Sequence, residues 1–344
     1  LIKSWLISPL CISDGIKARQ DGVAELYEQS NLCREVRDLL RDIYDLERIT
    51  SKISFARANA RDLISLLQSL SLLPKIKKTI SVCNSPILKS LYETLDVLEE
   101  VRVLISTTIL SEPPYSVREG GMIKEGYNHD LDELRNISKN GKDWIANFQA
   151  KEIERTGITS LKAGFNRVFG YYLEITNTHK NCIPETYIRK QTLKNAERYI
   201  TQELKEYETK VLTADERSKD LEYQIFQEIR EKISTYTERV QKSADVIAHL
   251  DCISTLANIA AENGYSRPVI NDECKLVIID GRHPVLEKTL LSEKFIPNDI
   301  DVDGEDNQIM IITGPNMAGK STYIRQIALL VLMAQMGSFI PAKE

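Results

Sequence analysis

Apolar residues recur at steps of three and four from Leu1 to about Ser106, as in Leu39, Leu40, Ile43, Leu46 and Ile49 and again in Leu63, Leu66, Leu67 and Leu70. That spacing places them on one face of a helix and predicts a helical bundle. Proline removes a backbone donor and fixes φ, so helices are expected to end or kink at Pro74, at Pro86 and in the Glu112-Pro113-Pro114 stretch. Gly120-Gly121 introduces a turn before a charged helix running from about Asn128 to Arg155. At Thr156 the period changes: Leu161 to Phe165 and Val168 to Thr176 are rich in aromatic and β-branched residues and are punctuated by Gly157, Gly164 and Gly170. Short strands with hairpin turns are expected there. From about Leu193 the helical period returns, with Leu204, Tyr207, Val211, Ala214, Ser218, Leu221 and Ile225 forming a heptad seam. A β-rich insert between an incoming charged helix and a very long outgoing one has the geometry of two levers with a tip. A further helix, Ser243 to Glu262, is closed by Asn263-Gly264, a left-handed cap. Beyond it, Leu276 to Ile279 and Gln308 to Thr313 are short apolar runs bounded by glycine, the pattern of buried parallel strands in an α/β domain.

With 344 residues and 42% hydrophobic content the chain can bury a large core and is expected to hold two or three domains. The longest uncharged apolar stretch, around Ile327 to Met336, is about half the length that crosses a bilayer, and no segment has the pattern of a signal peptide. A cytoplasmic protein without membrane partners is expected. Cys11, Cys33, Cys83, Cys182, Cys252 and Cys274 form no C-x-x-C pair, so free thiols are expected rather than a disulfide framework or a zinc site. The formal charge of -5 excludes a uniformly basic nucleic-acid coat. A local patch remains. Between Lys180 and Arg198 there are five basic residues (Lys180, Arg189, Lys190, Lys194, Arg198) against two acidic ones (Glu185, Glu197). At the end of two levers such a patch suits contact with DNA phosphates rather than a merely solvated face. The start at Leu1 without methionine, and the stop soon after a phosphate-loop motif, suggest a piece of a longer protein.

That motif is Gly314-Pro315-Asn316-Met317-Ala318-Gly319-Lys320-Ser321, which matches G-x-x-x-x-G-K-[ST] between an expected strand ending at Thr313 and a helix beginning near Lys320. Glycines let the backbone curl so that N–H groups point inward, and the helix N-terminus adds positive potential. Lys320 can then neutralise the β/γ-phosphates of ATP, and the Ser321 hydroxyl can ligate Mg²⁺, with Thr322 extending the donor set. Hydrolysis needs a metal-holding Asp and a water-orienting carboxylate from later strands, and those groups are not found after Thr322. Asp299, Asp301 and Asp303 are expected to be turn residues. His283, with no metal-type partner at ligand spacing, is expected to be a structural turn residue.

The segment GPNMAGKSTYIRQIALLVLMAQMGSFIPA, Gly314 to Ala342, resembles the phosphate loop and following helix of the MutS family. FNRVFGYYLEIT at Phe165 to Thr176 and YIRKQTLKNAERYITQELKEYE at Tyr187 to Glu208 resemble the clamp of bacterial MutS and the return of its lever helix. GRHPV at Gly281 to Val285 and FIPND at Phe295 to Asp299 resemble the start of its ATPase domain. The resemblance implies a multi-domain, mainly α fold. A helical core would cover 1–127, an incoming lever helix 128–155, a small β-rich DNA clamp 156–192 and outgoing lever helices 193–264. The N-terminal part of an α/β P-loop ATPase domain would cover 265–344. It also implies a dimer that closes on duplex DNA, finds mismatches and small loops, and uses ATP and Mg²⁺ to become a sliding clamp that recruits MutL in the bacterial cytosol or nucleoid. The parent would be a DNA-dependent ATPase whose mismatch reader, with a Phe-x-Glu wedge, precedes Leu1. Phe295 and Ile296 match positions that pack on adenine in the family, and Asn316 matches the loop asparagine near the terminal phosphate. Read without the family, Phe295 is equally well a core residue. The competing readings are a recombination-associated homologue, another coiled-coil P-loop ATPase, and a helical scaffold. A coiled-coil motor would carry its loop near the N-terminus, and a scaffold would not need Lys320 and Ser321.

Overall fold

The computed structural model describes residues 1–139, 141–166, 170–289, 295–315 and 318–344; the side chains of 138, 139, 141–143 and 180–182 also lie outside the description. Of the residues singled out above, Asn316, Met317, Val168 and the side chains of Lys180 and Cys182 therefore fall outside it. The first half of the chain forms α1 (Ile2–Ile7), α2 (Ser13–Glu28), α3 (Ser30–Arg41), α4 (Leu46–Ser54), α5 (Ala60–Ile80), α6 (Pro86–Thr94), α7 (Glu99–Thr108), α8 (His129–Lys139) and α9 (Gly141–Thr156). Then come β1 (Lys162–Asn166), β2 (Gly170–Thr176), a 3₁₀ turn (Asn177–Cys182), β3 (Ile188–Thr192), β4 (Ala196–Ile200), α10 (Gln202–Ser234) and α11 (Thr237–Asn263). The chain closes with β5 (Lys275–Gly281), α12 (Leu286–Thr289), β6 (Asn298–Asp303) and α13 (Lys320–Gln335).

Two compact units result, one of 1–55, 65–102 and 234–344, the other of 56–64 and 103–233. The first is built around α11. Neighbouring positions along it, such as Val246-Ile247, Cys252-Ile253 and Leu256-Ala257, are buried together, so the helix is covered on more than one face. α2, α3, α4 and α6 supply that cover. By length and composition α11 could cross a bilayer, but 56% of its most apolar window is buried inside the protein. It ends at Gly264 in the left-handed conformation, φ 60°, as the Asn-Gly pair predicts.

Three expectations are corrected. Pro74 neither ends α5 nor begins a new helix but sits inside it. Leu70, Leu73 and Ile76 around it are fully buried, and that packing outweighs the roughly 3 kcal/mol an interior proline costs. Pro86 does open a helix, at the first position of α6, where its missing N–H is no loss. The outgoing helix begins at Gln202, not near Leu193, because Thr201 caps it: its Oγ1 accepts from the Leu204 N–H at 3.1 Å. Residues 193–196 instead form a tight turn, with Leu193 N–H donating to Ala196 O at 2.8 Å, and 196–200 make strand β4. Finally, β5 and β6 are an antiparallel pair rather than parallel strands, and 308–313 is not a strand: Ile309 and Ile311 are 85% and 84% exposed. Ladder hydrogen bonds need a neighbouring strand, and among the described residues none lies beside this run.

The second unit holds a four-stranded sheet where the β-rich insert was expected, ordered β1-β2-β4-β3 and antiparallel throughout. Leu173, Ile175, Tyr187 and Tyr199 of its inner face pack with Phe148 of α9 and Leu204 of α10. Trp144 lies parallel to Phe148, ring centres 4.9 Å apart, and to Tyr207, 3.6 Å apart, so the helices entering and leaving the sheet are stacked together at its base.

Further along α10, Glu222 is 1% exposed, and its carboxylate accepts from the successive N–H groups of Gly121, Met122 and Ile123. Gly121 adopts φ 80°, a left-handed turn that aims these donors at one anion. Arg135 of α8 completes the cage, Nη2 at 3.0 Å from Oε1. Removing one partner of a buried, fully bonded pair is costly. Glu222→Gln, which loses the charge and turns an NH₂ toward backbone donors, is expected to lower stability by about 3 kcal/mol. Urea unfolding followed by circular dichroism measures this; a loss within experimental error contradicts the cage.

Candidate functional site

Two arrangements, one in each unit, draw together the residues singled out from sequence. The first is the loop ahead of α13. Its helix begins after Gly319, φ 89°, and no side chain caps it. The first intrahelical bond is Tyr323 N–H to Gly319 O at 2.9 Å, which leaves the N–H groups of 320–322 pointing out of the helix end. Lys320 folds back across the loop, its Nζ donating to Gly314 O and, at 2.9 Å, to Pro315 O. Ala318 N–H donates to Pro315 O at 3.3 Å. The free N–H dipoles of the helix end and the Lys320 ammonium lie together at the loop, a donor set suited to an anion. Ser321 and Thr322 occupy the first turn of the helix, and Thr322 lines a cavity with His283 and Arg325.

What holds this helix end in place is the β5–β6 pair. Gln326, buried, accepts from Asn298 Nδ2 at 3.3 Å. Tyr323 Oη donates to Asp299 O at 2.7 Å. A Cβ on Gly281 would come 2.8 Å from Ile278 Cγ2, 2.9 Å from Gln326 Nε2 and 3.0 Å from Asn298 O, so any side chain there would have to push aside β5, β6 and the Gln326 side chain together. Phe295 and Ile296 lead directly into β6 beside that contact. Ile296 is 79% exposed. Phe295 is half-buried, its ring 6.5 Å from that of His283. His283 itself behaves as a turn residue: its Nδ1 accepts from Val285 N–H and Leu286 N–H, both at 3.3 Å. It also lines a cavity of about 410 Å³ with Thr322 and Arg325.

The neighbouring acids are occupied. Asp299 Oδ1 accepts from Asp280 N–H at 2.7 Å, and Asp303 Oδ1 accepts from the N–H groups of Glu305, Asp306 and Asn307. Those hydrogen bonds hold the Asp303 carboxyl below its usual pKa. Asp303, the last residue of β6, caps a turn as expected, whereas Asp299 and Asp301 lie within β6 and are strand residues rather than the turn residues expected, because that run pairs with β5. Among the described residues no cluster of His, Cys, Asp or Glu could hold a metal ion by itself, so any cation here would depend on hydroxyls such as that of Ser321 and on the ligand's own oxygens.

The second arrangement is the basic stretch of the sheet, which the structure divides in two. Arg198 on β4 is spent on the sheet: it donates to Glu174 at 2.9 Å and Gln191 at 3.0 Å, and its guanidinium lies 4.2 Å over the Tyr172 ring. These contacts tie Arg198 into the sheet through Nε and Nη1, so as an expected DNA contact it is the most restrained of the basic residues described. Arg189 is intermediate, more than half exposed and 3.4 Å from buried Glu197. Lys190 sits at the β3–β4 register shift and Lys194 in the turn between those strands. Both are exposed, with no acidic partner among the described residues. Cross-strand pairing was invisible in the one-dimensional charge count, which could not tell Arg198 from Lys190.

Sequence reasoning missed Tyr323, Gln326 and Asn298, which seat the loop, and Glu197 and Glu174, which hold the basic residues. Only the short Gly281-Arg282-His283 and Phe295-to-Asp299 segments carried a signal near them.

Family models described as MutS domain III and MutS domain V match residues 1–257 and 310–344. Curated proteins named DNA mismatch repair protein MutS are similar along the chain. Identity is 48% over 344 residues with that of Caldicellulosiruptor saccharolyticus, 52% over 344 with that of Halothermothrix orenii, and 48% over 346 with that of Methanosarcina mazei. The matches take in 100%, 100% and 99% of this chain but 40%, 38% and 38% of those relatives. The chain thus spans less than half the length of the proteins it matches.

Proposed function

This chain belongs to the MutS family, and on that premise we propose that it is the part of a DNA mismatch-repair ATPase that grips duplex DNA and binds the phosphates of ATP. The observation that carries this reading is the loop Gly314–Ser321 at the free N-terminus of α13, with Lys320 drawn across its mouth. In this reading the N–H groups at the helix end and Lys320 hold the β- and γ-phosphates, Asn316 and Met317 belong to the same loop, and Ser321 is a ligand of the bound Mg²⁺. Phe295 and Ile296 would flank the adenine. Bound ATP–Mg²⁺ supplies the phosphoanhydride whose cleavage can drive a switch. Asp299 and Asp303, committed to backbone donors, do not serve that cleavage.

The clamp sheet is the DNA-holding element of this proposal, with α9 and α10 as its levers. Lys190, Lys194, Lys180 and, once released from Glu197, Arg189 would meet phosphates. Such contacts give affinity without reading bases. That indifference suits a scanner, because mismatch discrimination then rests on how easily the duplex kinks. The full protein would act as a homodimer on mismatched or looped duplexes, pass its signal to MutL, and work in the cytosol at the nucleoid. Mismatch repair is the role in the relatives' name; the homodimer, MutL and the nucleoid follow from the family resemblance and belong to the reading to be tested.

Two variants test it. Lys320→Ala in the intact protein is expected to weaken ATP binding by about tenfold or more, the worth of a charge-assisted bond, while nucleotide-free duplex binding stays within error. Undiminished ATP affinity in a fluorescence titration would remove the loop's role. Arg189→Ala combined with Lys190→Ala is expected to weaken matched and mismatched duplexes alike and to flatten the log–log salt slope by about 2. An unchanged slope contradicts the clamp assignment.

A further inference from the structure

The far end of α13 is held as firmly as its near end, and by a different part of the chain. Arg19 of α2 donates from Nη1 to the carbonyl of Met336, the C-terminal cap residue of α13, at 3.3 Å. Just before α2, Leu10 N–H donates to Gln335 O at 3.3 Å. The last carbonyls of a helix lack intrahelical partners and carry the negative end of its dipole, so a guanidinium is the favoured group there. The following residue, Gly337, has φ 85°, and a Cβ on it would lie 2.4 Å from Arg19 Cβ. The Arg19 stem therefore runs through a hollow that only glycine leaves. On its other side the guanidinium lies 3.8 Å over the Trp5 ring, and Trp5, buried, meets His249 of α11 with ring centres 5.7 Å apart. Burial pushes the Arg19 pKa down, which marks a cation partly taken out of water and dependent on these contacts.

A helix of sixteen residues is a rod about 24 Å long. α13 carries the phosphate loop at one end and the Arg19 contact at the other, and α2 is packed on α11. Packed elements shift as bodies rather than stretch. We propose that Arg19 is a positioning residue that couples occupancy of the loop to α2: an anion drawn onto the N-terminus of α13 displaces the rod, and the Met336–Arg19–Trp5 contact passes that displacement to the core helices. This rests on the nucleotide-binding reading above and adds to it a defined route.

Hydrogen exchange read by mass spectrometry on the intact protein tests it, with and without saturating ATP–Mg²⁺. In the unaltered protein nucleotide is expected to slow exchange about threefold or more both in peptides of 318–325 and in peptides of 13–28. In Arg19→Ala the first protection and the ATP affinity persist while the second is lost. Arg19→Lys, which keeps the stem in the Gly337 hollow and one donor for Met336, restores part of it; a purely structural role would leave nucleotide-induced protection of α2 proportional in all three proteins. Protection of 13–28 in Arg19→Ala equal to that of the unaltered protein overturns the proposal. So does an unaltered protein in which ATP protects 318–325 but not 13–28, and in that case the nucleotide-binding reading survives. Absence of protection at 318–325 overturns both. Should Arg19→Ala not fold, the comparison of Arg19→Lys with the unaltered protein decides, a full response in the lysine variant at unchanged amplitude counting against coupling through the guanidinium.

Discussion

Burial of α11 is the constraint on which the first unit depends. A helix with apolar residues at adjacent positions such as Cys252-Ile253 and Leu256-Ala257 cannot be satisfied by one neighbour, and α2, α3, α4 and α6 are gathered around it. Each fully buried aliphatic side chain contributes about 1.5–3 kcal/mol, so the placement of α2 is strongly determined. The rest of the unit follows from that placement. Arg19 and Leu10 contact the end of α13, and Gln326 and Asn298 join its beginning to β6, so the helix behind the loop 314–319 is tied to its neighbours at both ends.

In the second unit buried carboxylates take the corresponding role. Glu222 gathers three backbone donors and Arg135. Glu152 bonds Arg155 and Tyr187, and Glu197 bonds Tyr199 beside Arg189. The Arg155 bond holds the Glu152 carboxyl below its ordinary value, overcoming burial, while burial and the carboxylate push Tyr187 upward. Because the folded-state pKa of Glu152 is depressed, its contribution to stability is present above about pH 4.5 and fades as pH falls through the folded value. A small sheet with a modest core is thus held by ionic and aromatic contacts at its base, which leaves the outer lysines free.

Helical periods, the Asn-Gly cap, the hairpins of the four-stranded sheet and the start of α13 after Gly319 were all legible from the order of residues, because each depends on local spacing or on local turn chemistry. The failures share one cause. Ala196-Glu197-Arg198 reads as helix locally, yet pairing with two strands and the Thr201 cap make it a strand. Pro74 reads as a break, yet buried leucines carry the helix past it. Arg198 counts in the chain order only as one more positive charge, yet partners on two other strands tie it into the sheet. Glu222 falls in a charged helix and gave no sign of burial, since the donors it meets lie about a hundred residues earlier in the chain. Nor did the chain order show that helices near Leu1 and the loop helix near its other end share one compact unit. Long-range partners decided each of these, and a local pattern does not name them.

The central claim, that this chain grips duplex DNA through phosphates, is tested most directly by titrating the folded protein against labelled matched and mismatched duplexes at several salt concentrations without nucleotide. Affinity that falls with salt along a log–log slope of about -3, as three or four engaged phosphates require, and does so alike for both duplexes, is the expected result. Binding insensitive to salt, or no binding by a folded sample, would contradict it.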